Sequence, residues 1–285
     1  MIERAYIEIG NICNLACSFC PGTKREPRQM DESEFTKICE KLQGKVKFLY
    51  FHLMGEPLVH PLLDRFLGIA ECFGFKVCIT TNGTLLEGKG DILLSHSTVL
   101  HKVSISLHAP EGNSFSAEGS GYLSSAAYFA EQAAERGIFT VFRLWNMNST
   151  DALGKNSENS AIETYLHKRF SFPWEKRQRG YRLAKNIFLE YDGVFVWPSE
   201  SGEQERERGY CHALSQQIAI LADGTVVPCC LDSEGMIALG NIFSSSLQQI
   251  LNSERAVLMR RGFSAGVLCE MLCRKCSYSK RFSNK

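Results

Sequence analysis

The chain has 285 residues, 44% of them hydrophobic and 22% charged, with a formal net charge of +1. That balance excludes wholesale disorder, and the near-neutral charge argues against a partner held by bulk electrostatics, such as long duplex nucleic acid. No apolar run approaches the roughly 18 residues needed to span a bilayer, and the N-terminus has no signal-peptide pattern, so the expected setting is the cytoplasm with no membrane partner.

Taken in chain order, short apolar runs alternate with amphipathic stretches. Strands are expected over Ala5 to Ile9, Val46 to Leu53, Lys76 to Thr80, Lys102 to Leu107, Phe139 to Leu144 and Ile187 to Glu190. Helices are expected between them: Glu32 to Leu42, Pro61 to Phe73, Leu85 to Ser95, Tyr122 to Arg136, and a further one near Ile162 to Phe170. Buried strands alternating with helices of ten or more residues mean parallel strands joined by crossovers. Six strands are too few for an eight-fold barrel, so the expected fold is α/β, a partial, partly open barrel. The basic stretch Trp174 to Lys185 reads as a solvated loop, and the mixed-charge run Glu200 to Arg208 as a linker. Beyond it the pattern changes to a hairpin, Gln217 to Leu221 and Thr225 to Val227 around Asp223-Gly224, then an amphipathic helix from Ser246 to Arg260. Two units follow from this, residues 1–200 and 205–285.

Twelve cysteines in a reducing compartment point to metal ligation rather than disulfides. Nine fall in three groups: Cys13, Cys17 and Cys20; Cys211, Cys229 and Cys230; Cys269, Cys273 and Cys276. Cys39, Cys72 and Cys78 stand singly in apolar patterns and read as small buried hydrophobes. The first group lies just after the first strand, where α/β folds place their ligands. A cubane iron–sulfur cluster wants one thiolate per iron, so three cysteines leave one iron to be ligated from elsewhere or open to a ligand. Zinc, or plain structural thiols, are the alternatives.

Four later strand ends carry further polar motifs. After the second strand stands Met54-Gly55-Glu56-Pro57; after the third, Thr80-Thr81-Asn82-Gly83; the fourth ends Ser104-Ile105-Ser106-Leu107-His108; the fifth ends with Arg143, Leu144, Trp145 and Asn146. A glycine before an acid lets the main chain approach a ligand, and Glu56 can accept from an ammonium or cap the segment after it. His52 and His108, at strand ends, are candidate proton donors or substrate contacts, as is Arg143; hydrogen-bonded structural histidines are the commoner outcome. His60 reads as shaping a turn before a helix.

Cys-x3-Cys-x2-Cys with Phe19 before the third cysteine resembles the signature of the radical S-adenosylmethionine (SAM) superfamily. The resemblance implies that Cys13, Cys17 and Cys20 hold a 4Fe-4S cluster whose open iron binds SAM. Reduction would then cleave SAM to a 5'-deoxyadenosyl radical that abstracts hydrogen from substrate. It further implies that Phe19, Gly55, Glu56, Pro57, Asn82, Ser104, Ser106, Arg143 and Leu144 position SAM. Met54 replaces the first glycine of the family's Gly-Gly-Glu-Pro motif, which leaves a main-chain contact possible.

The C-terminal segment resembles the SPASM or Twitch type of extension. Cys211, Cys229, Cys273 and Cys276 match its four-cysteine pattern and imply an auxiliary 4Fe-4S cluster, with Cys230 and Cys269 as spares. The expected protein is therefore a radical SAM oxidoreductase or lyase, supplied with electrons by flavodoxin or ferredoxin and acting on a small molecule. Rival readings are a queuine lyase-like cleavage of a modified nucleobase, peptide modification of the kind done by peptide maturases, a non-enzymatic iron–sulfur electron carrier, and a zinc-stabilised nucleic-acid-binding module.

Overall fold

The computed structural model describes residues 2–113, 117, 121–146, 157–171, 173–193, 197–199 and 205–282. Six strands run parallel in one sheet: β1 (Arg4–Ile7), β2 (Phe48–Phe51), β3 (Lys76–Thr81), β4 (Leu100–Ser106), β5 (Phe139–Asn146) and, after two intervening strands, β8 (Ile187–Gly193). The crossovers carry α1 (Glu32–Leu42), α2 (Leu63–Cys72), α3 (Leu86–Ser95), the short α4 (Ala109–Asn113), α5 (Tyr122–Glu135) and α6 (Ser157–Arg169). Apart from the short α4, which periodicity did not announce, these match the strands and helices expected from the sequence.

The physical reasons are local. In α1 the Asp31 carboxylate accepts from the Glu34 amide at 2.8 Å, and Glu34 returns the bond to the Asp31 amide at 3.0 Å, closing a capping box. Phe35, Ile38, Cys39 and Leu42 then recur at helical spacing and bury one face, with Phe35 stacked on Phe66 at 4.4 Å. In β5 the period of two separates Phe142 and Leu144, fully buried toward the helices, from Arg143 and Trp145, which point inside the curved sheet.

The hairpin β9 (Gln217–Ile220) and β10 (Thr225–Val227), with β11 (Gly240–Asn241), does not stand apart. β9 pairs in parallel with β1, so the sheet runs β11-β10-β9-β1-β2-β3-β4-β5-β8-β7-β6 without closing on itself. Glu8, directly after β1 and completely buried, is held at this seam. Arg25 grips it bidentately at 2.5 and 2.7 Å, the Ala222 amide donates to it at 2.9 Å, and Arg25 also donates to the Ser233 carbonyl at 2.8 Å.

Three expectations are corrected. The basic stretch is not a loop but an antiparallel hairpin, β6 (Glu175–Arg177) and β7 (Gly180–Ala184), laid on the edge of β8. Its few apolar anchors, Trp174, Tyr181 and Leu183, are diluted by edge charges of the kind that blunt an open sheet edge. The helix expected from Ser246 is two helices, α7 (Leu247–Leu251) and α8 (Glu254–Ser264), because Ser253 takes extended angles and caps the second. α9 (Met271–Arg274) follows. Cys72 is exposed at the end of α2, whereas Cys39 and Cys78 are buried as expected. Of the mixed-charge run, residues 200–204 lie outside the described residues. Among those described, no helix is long and apolar enough to cross a membrane.

Replacing Arg25 by Met is expected to cost on the order of 3 kcal/mol in denaturant unfolding, because it leaves the Glu8 charge buried without its partner. The double variant Arg25→Met/Glu8→Gln should recover part of that loss. Additive losses in the pair would show that the two do not interact.

Candidate functional site

The strand ends and the C-terminal unit enclose one cavity of about 410 Å³. Cys13, Cys17 and Cys20 line it from the loop after β1. That loop is held from three sides. Gly55 has a φ of +79°, and a side chain there would lie 2.4 Å from the Gly10 carbonyl and 2.9 Å from that of Ile12; its neighbour Glu56 donates its amide to Ile12 at 2.9 Å. α4 approaches from the other side. The Ser18 amide donates to the Gly112 carbonyl at 2.9 Å, Ala16 to the Asn113 side chain at 3.1 Å, and Asn113 Nδ2 lies 3.0 Å from Cys17 Sγ. Gly112 permits this contact, since a Cβ on it would sit 2.4 Å from the Phe19 ring. The third side is Asn82, whose Nδ2 donates to Asn14 at 2.9 Å.

These thiols suit a cluster. The Leu15 amide lies 3.4 Å from Cys13 Sγ, so Cys13 and Cys17 each have an N–H donor turned toward sulfur, which favours thiolate. Burial pushes both thiols up, and those two donors oppose the shift. Among the described residues no three His, Cys, Asp or Glu side chains are arranged around a single ion. A cubane asks instead for one thiolate at each of several separate irons, which three cysteines bordering one cavity can supply.

Glu56 is the polar hub of the strand ends. Its carboxylate accepts from the Thr81 hydroxyl at 2.7 Å, the Asn82 amide at 2.7 Å and the Leu58 amide at 3.1 Å. Burial raises its pKa, and those three donors oppose the shift. A carboxylate has about four acceptor positions, so one remains for a donor in the cavity that Glu56 also lines. Pro57 starts a short 3-10 turn and is buried outside the cavity lining, as His60 is at its end, where Nδ1 accepts the Leu62 amide at 3.1 Å. Tyr122, which sequence reasoning missed, puts its hydroxyl 2.8 Å from the Asn82 carbonyl and 3.0 Å from that of Ser106, joining two strand ends.

Ser106 and Arg143 line the cavity, and Ser104 lies one inward-facing position deeper and is buried outside the lining. Leu144, expected to position SAM, has its side chain in the helix-facing core. The strand period sends Arg143 and Trp145 inward in its place. The Asn146 side chain lies outside the described residues. Phe19, His108 and Trp145 form an aromatic wall, with His108 stacked on Trp145 at 4.6 Å and 8°, and the Arg143 guanidinium 5.2 Å from the Trp145 ring centre. His108 Nδ1 is 3.1 Å from the Arg143 carbonyl, and His52 Nδ1 is 3.2 Å from the Thr80 hydroxyl. Burial, assisted by the charge of Arg143, lowers both histidines to about 3, so both are neutral.

Cys211, Cys229, Cys273 and Cys276 line the same cavity from the opposite side. Burial pushes Cys211 up to about 11 and raises Cys229, Cys273 and Cys276 as well. Cys230, read from sequence as a spare, also lines the cavity, and burial lifts it to about 12; Cys269 is exposed and turned toward the Leu258 carbonyl.

Residues 7–148 match the family model of the radical SAM superfamily, and residues 211–277 match that of an iron–sulfur cluster-binding domain, SPASM. The chain is 38% identical over 89 residues, 30% of its length, to the tungsten-containing aldehyde ferredoxin oxidoreductase cofactor-modifying protein of Pyrococcus furiosus, covering 25% of that protein. Matches to the curated relatives span between 25 and 37% of their lengths. In fold it is similar to BtrN in complex with AdoMet and 2-DOIA (TM-score 0.61, 18% identity, 97% of this chain and 93% of that one). It is likewise similar to Streptococcus suis SuiB bound to precursor peptide SuiA (TM-score 0.62, 17% identity, 97% and 71%).

Replacing Gly55 by Ala is expected to loosen the cysteine loop, read as hydrogen exchange at residues 11–20 at least tenfold faster than in the native protein; unchanged exchange would show that the close approach is not binding. A second prediction concerns acid. His52 and His108 bind protons near pH 6.5 when unfolded but near 3 when folded, so the unfolded chain takes up more protons in that window and stability falls as pH drops through it. Urea unfolding of His108→Gln should show a shallower fall between pH 6.5 and 4.5 than the native protein.

Proposed function

The chain belongs to the radical SAM superfamily, and from that premise we propose that it is an enzyme that cleaves SAM reductively and draws hydrogen from a small-molecule substrate. The observation that carries this reading is the single cavity bordered by three thiols on one side and four matching thiols on the other. When bound, the SAM-ligated 4Fe-4S cluster supplies a hydrogen-abstracting radical once it is reduced by an external flavodoxin or ferredoxin.

The chain's own residues divide the work. Cys13, Cys17 and Cys20 hold the first cluster and leave one iron for SAM, whose amino group is received by Glu56 and the main chain at Gly55. Asn82 and Ser106 border the cofactor, Arg143 takes its carboxylate, and Phe19 with Trp145 excludes water beside it. Cys211, Cys229, Cys273 and Cys276 saturate the auxiliary cluster, which suits it to moving electrons rather than binding substrate. His52 and His108, being neutral, act as hydrogen-bonding groups and not as acids near pH 7. In this reading residues 1–200 make the radical and residues 205–285 close the chamber over it. The cavity volume and the Tyr278, Phe282 and His212 side chains that border it favour a small molecule over a long peptide.

Anaerobically reconstituted protein should hold about eight irons and form 5'-deoxyadenosine with a reductant. Cys17→Ala should abolish that product, whereas Cys273→Ala should retain a measurable fraction. Equal and complete loss in both, with native circular dichroism, would mean that the two sites are misassigned. Deuterium carried from a labelled candidate into 5'-deoxyadenosine identifies the hydrogen donor directly.

A further inference from the structure

Three cations stand on strand positions that face the inside of the sheet: Arg4 on β1, Lys102 on β4 and Arg143 on β5. Arg4 and Arg143 line the cavity. Lys102 lies two residues before Ser104 on the same face, with its Nζ 5.8 Å from the Tyr50 ring centre. Tyr6, two residues after Arg4 on the same face, stands in register with Tyr50, Cys78 and Lys102 across the four strands, and its ring centre is 5.0 Å from that of Tyr50.

The buried acids of this region already hold donors, and Glu3, just before β1, is exposed. Glu56 carries three donors, Asp232 accepts the amides of Met236 and Ile237 at 2.9 and 2.8 Å, and Glu8 is gripped by Arg25. On β8, Glu190 is exposed opposite Arg143, and the Asp192 carboxylate accepts the Gly193 amide at 2.9 Å. Among the described residues neither Arg4 nor Lys102 has a carboxylate within ion-pair distance; Arg4 reaches only the Gln216 side chain, at 3.4 Å. The cysteines have cations of their own, Arg143 near Cys230 and Arg206 near Cys276. SAM brings one carboxylate, which the proposed function assigns to Arg143 at the strand ends.

A cation partly withdrawn from water without a counter-charge is costly, and an anion that pairs with it recovers that cost through charge-assisted hydrogen bonds. We infer that the substrate carries an anionic group, a carboxylate or a phosphate, which seats against Arg4 and Lys102 at the base of the barrel. The orientation follows: the anion is anchored deep, and the carbon that gives up hydrogen lies toward the strand ends and Ser106. Tyr6, whose hydroxyl burial keeps protonated, and neutral His52 are the uncharged hydrogen-bonding neighbours of that seat.

The identification of the reacting end rests on the radical SAM reading; the anion seat itself is tested without it. Reconstituted protein carrying SAM is titrated with inorganic phosphate, followed by 31P line broadening, and with acetate and acetamide, followed by saturation transfer to the methyl protons. Saturable binding of phosphate or acetate, mutual competition between them and no binding of acetamide are expected, and the tighter of the two anions names the group. Arg4→Gln and Lys102→Gln should each weaken the anion at least tenfold, with Arg4→Lys recovering part of the loss. Acetamide binding as well as acetate in the native protein overturns the proposal without any variant, and so does undiminished anion binding in the folded double Gln variant. Native protein that binds the anion yet forms no 5'-deoxyadenosine when reduced would sink the radical reading and leave the seat standing.

Discussion

Where β1 and β9 lie side by side, four registered pairs, from Arg4 with Gln217 to Ile7 with Ile220, decide how the two cysteine sets face each other. β1 delivers the loop of Cys13, Cys17 and Cys20 from its end, and β9 opens the hairpin that leads to Cys229 and Cys230. β10 then returns antiparallel to β9, with Val226 opposite Ile220 and Val227 opposite Ala219, so Cys229 leaves the sheet at the end where β1 begins and the two sets face each other from opposite ends. Had β9 paired antiparallel to β1, both sets would lie at the same rim. Glu8, the next residue on, secures the seam, because a fully buried carboxylate has to be satisfied and here its donors come from both the cysteine loop and the C-terminal unit.

A second buried carboxylate, Glu56, organises the strand ends in the same way. Its three donors come from two segments, the end of β3 and the turn after Glu56 itself, and each gives up a hydrogen bond to water that only this geometry replaces. The result is a polar rim that is rigid without being filled. Neutral His52 and His108, Tyr122 and the Phe19–Trp145 wall continue that rim, so the cavity presents fixed hydrogen-bonding groups at the strand ends and the Arg4 guanidinium where β1 begins.

Much of this was legible from residue order. The three-cysteine loop, Gly55, Glu56, Asn82, Ser106 and Arg143 all border the cavity, because motifs placed at the ends of parallel strands converge whatever the helices between them do. Leu144 was misplaced for the opposite reason: a one-residue step along a strand reverses the face, and a motif read as a block ignores that alternation. Tyr122 and Asn113 left no signal, since each acts from a helix on a backbone or thiol group distant in sequence. The β6–β7 hairpin was hidden by its charges, and the break before α8 by a continuous apolar spacing that Ser253 interrupts.

Sequence by itself determined the parallel α/β sheet, the two thiol sets and the polar groups at the strand ends, because strand alternation, helix capping and cysteine spacing are local properties carried by neighbouring residues. Only the tertiary structure decided that β9 joins β1, that Arg25 reaches Glu8, that Cys230 faces inward while Cys269 does not, and that Arg4 lines the cavity while Lys102 packs beside Tyr50. Each of those depends on a register or a buried pairing between segments far apart in the chain, and the free energy of such a pairing exists only once the segments have met.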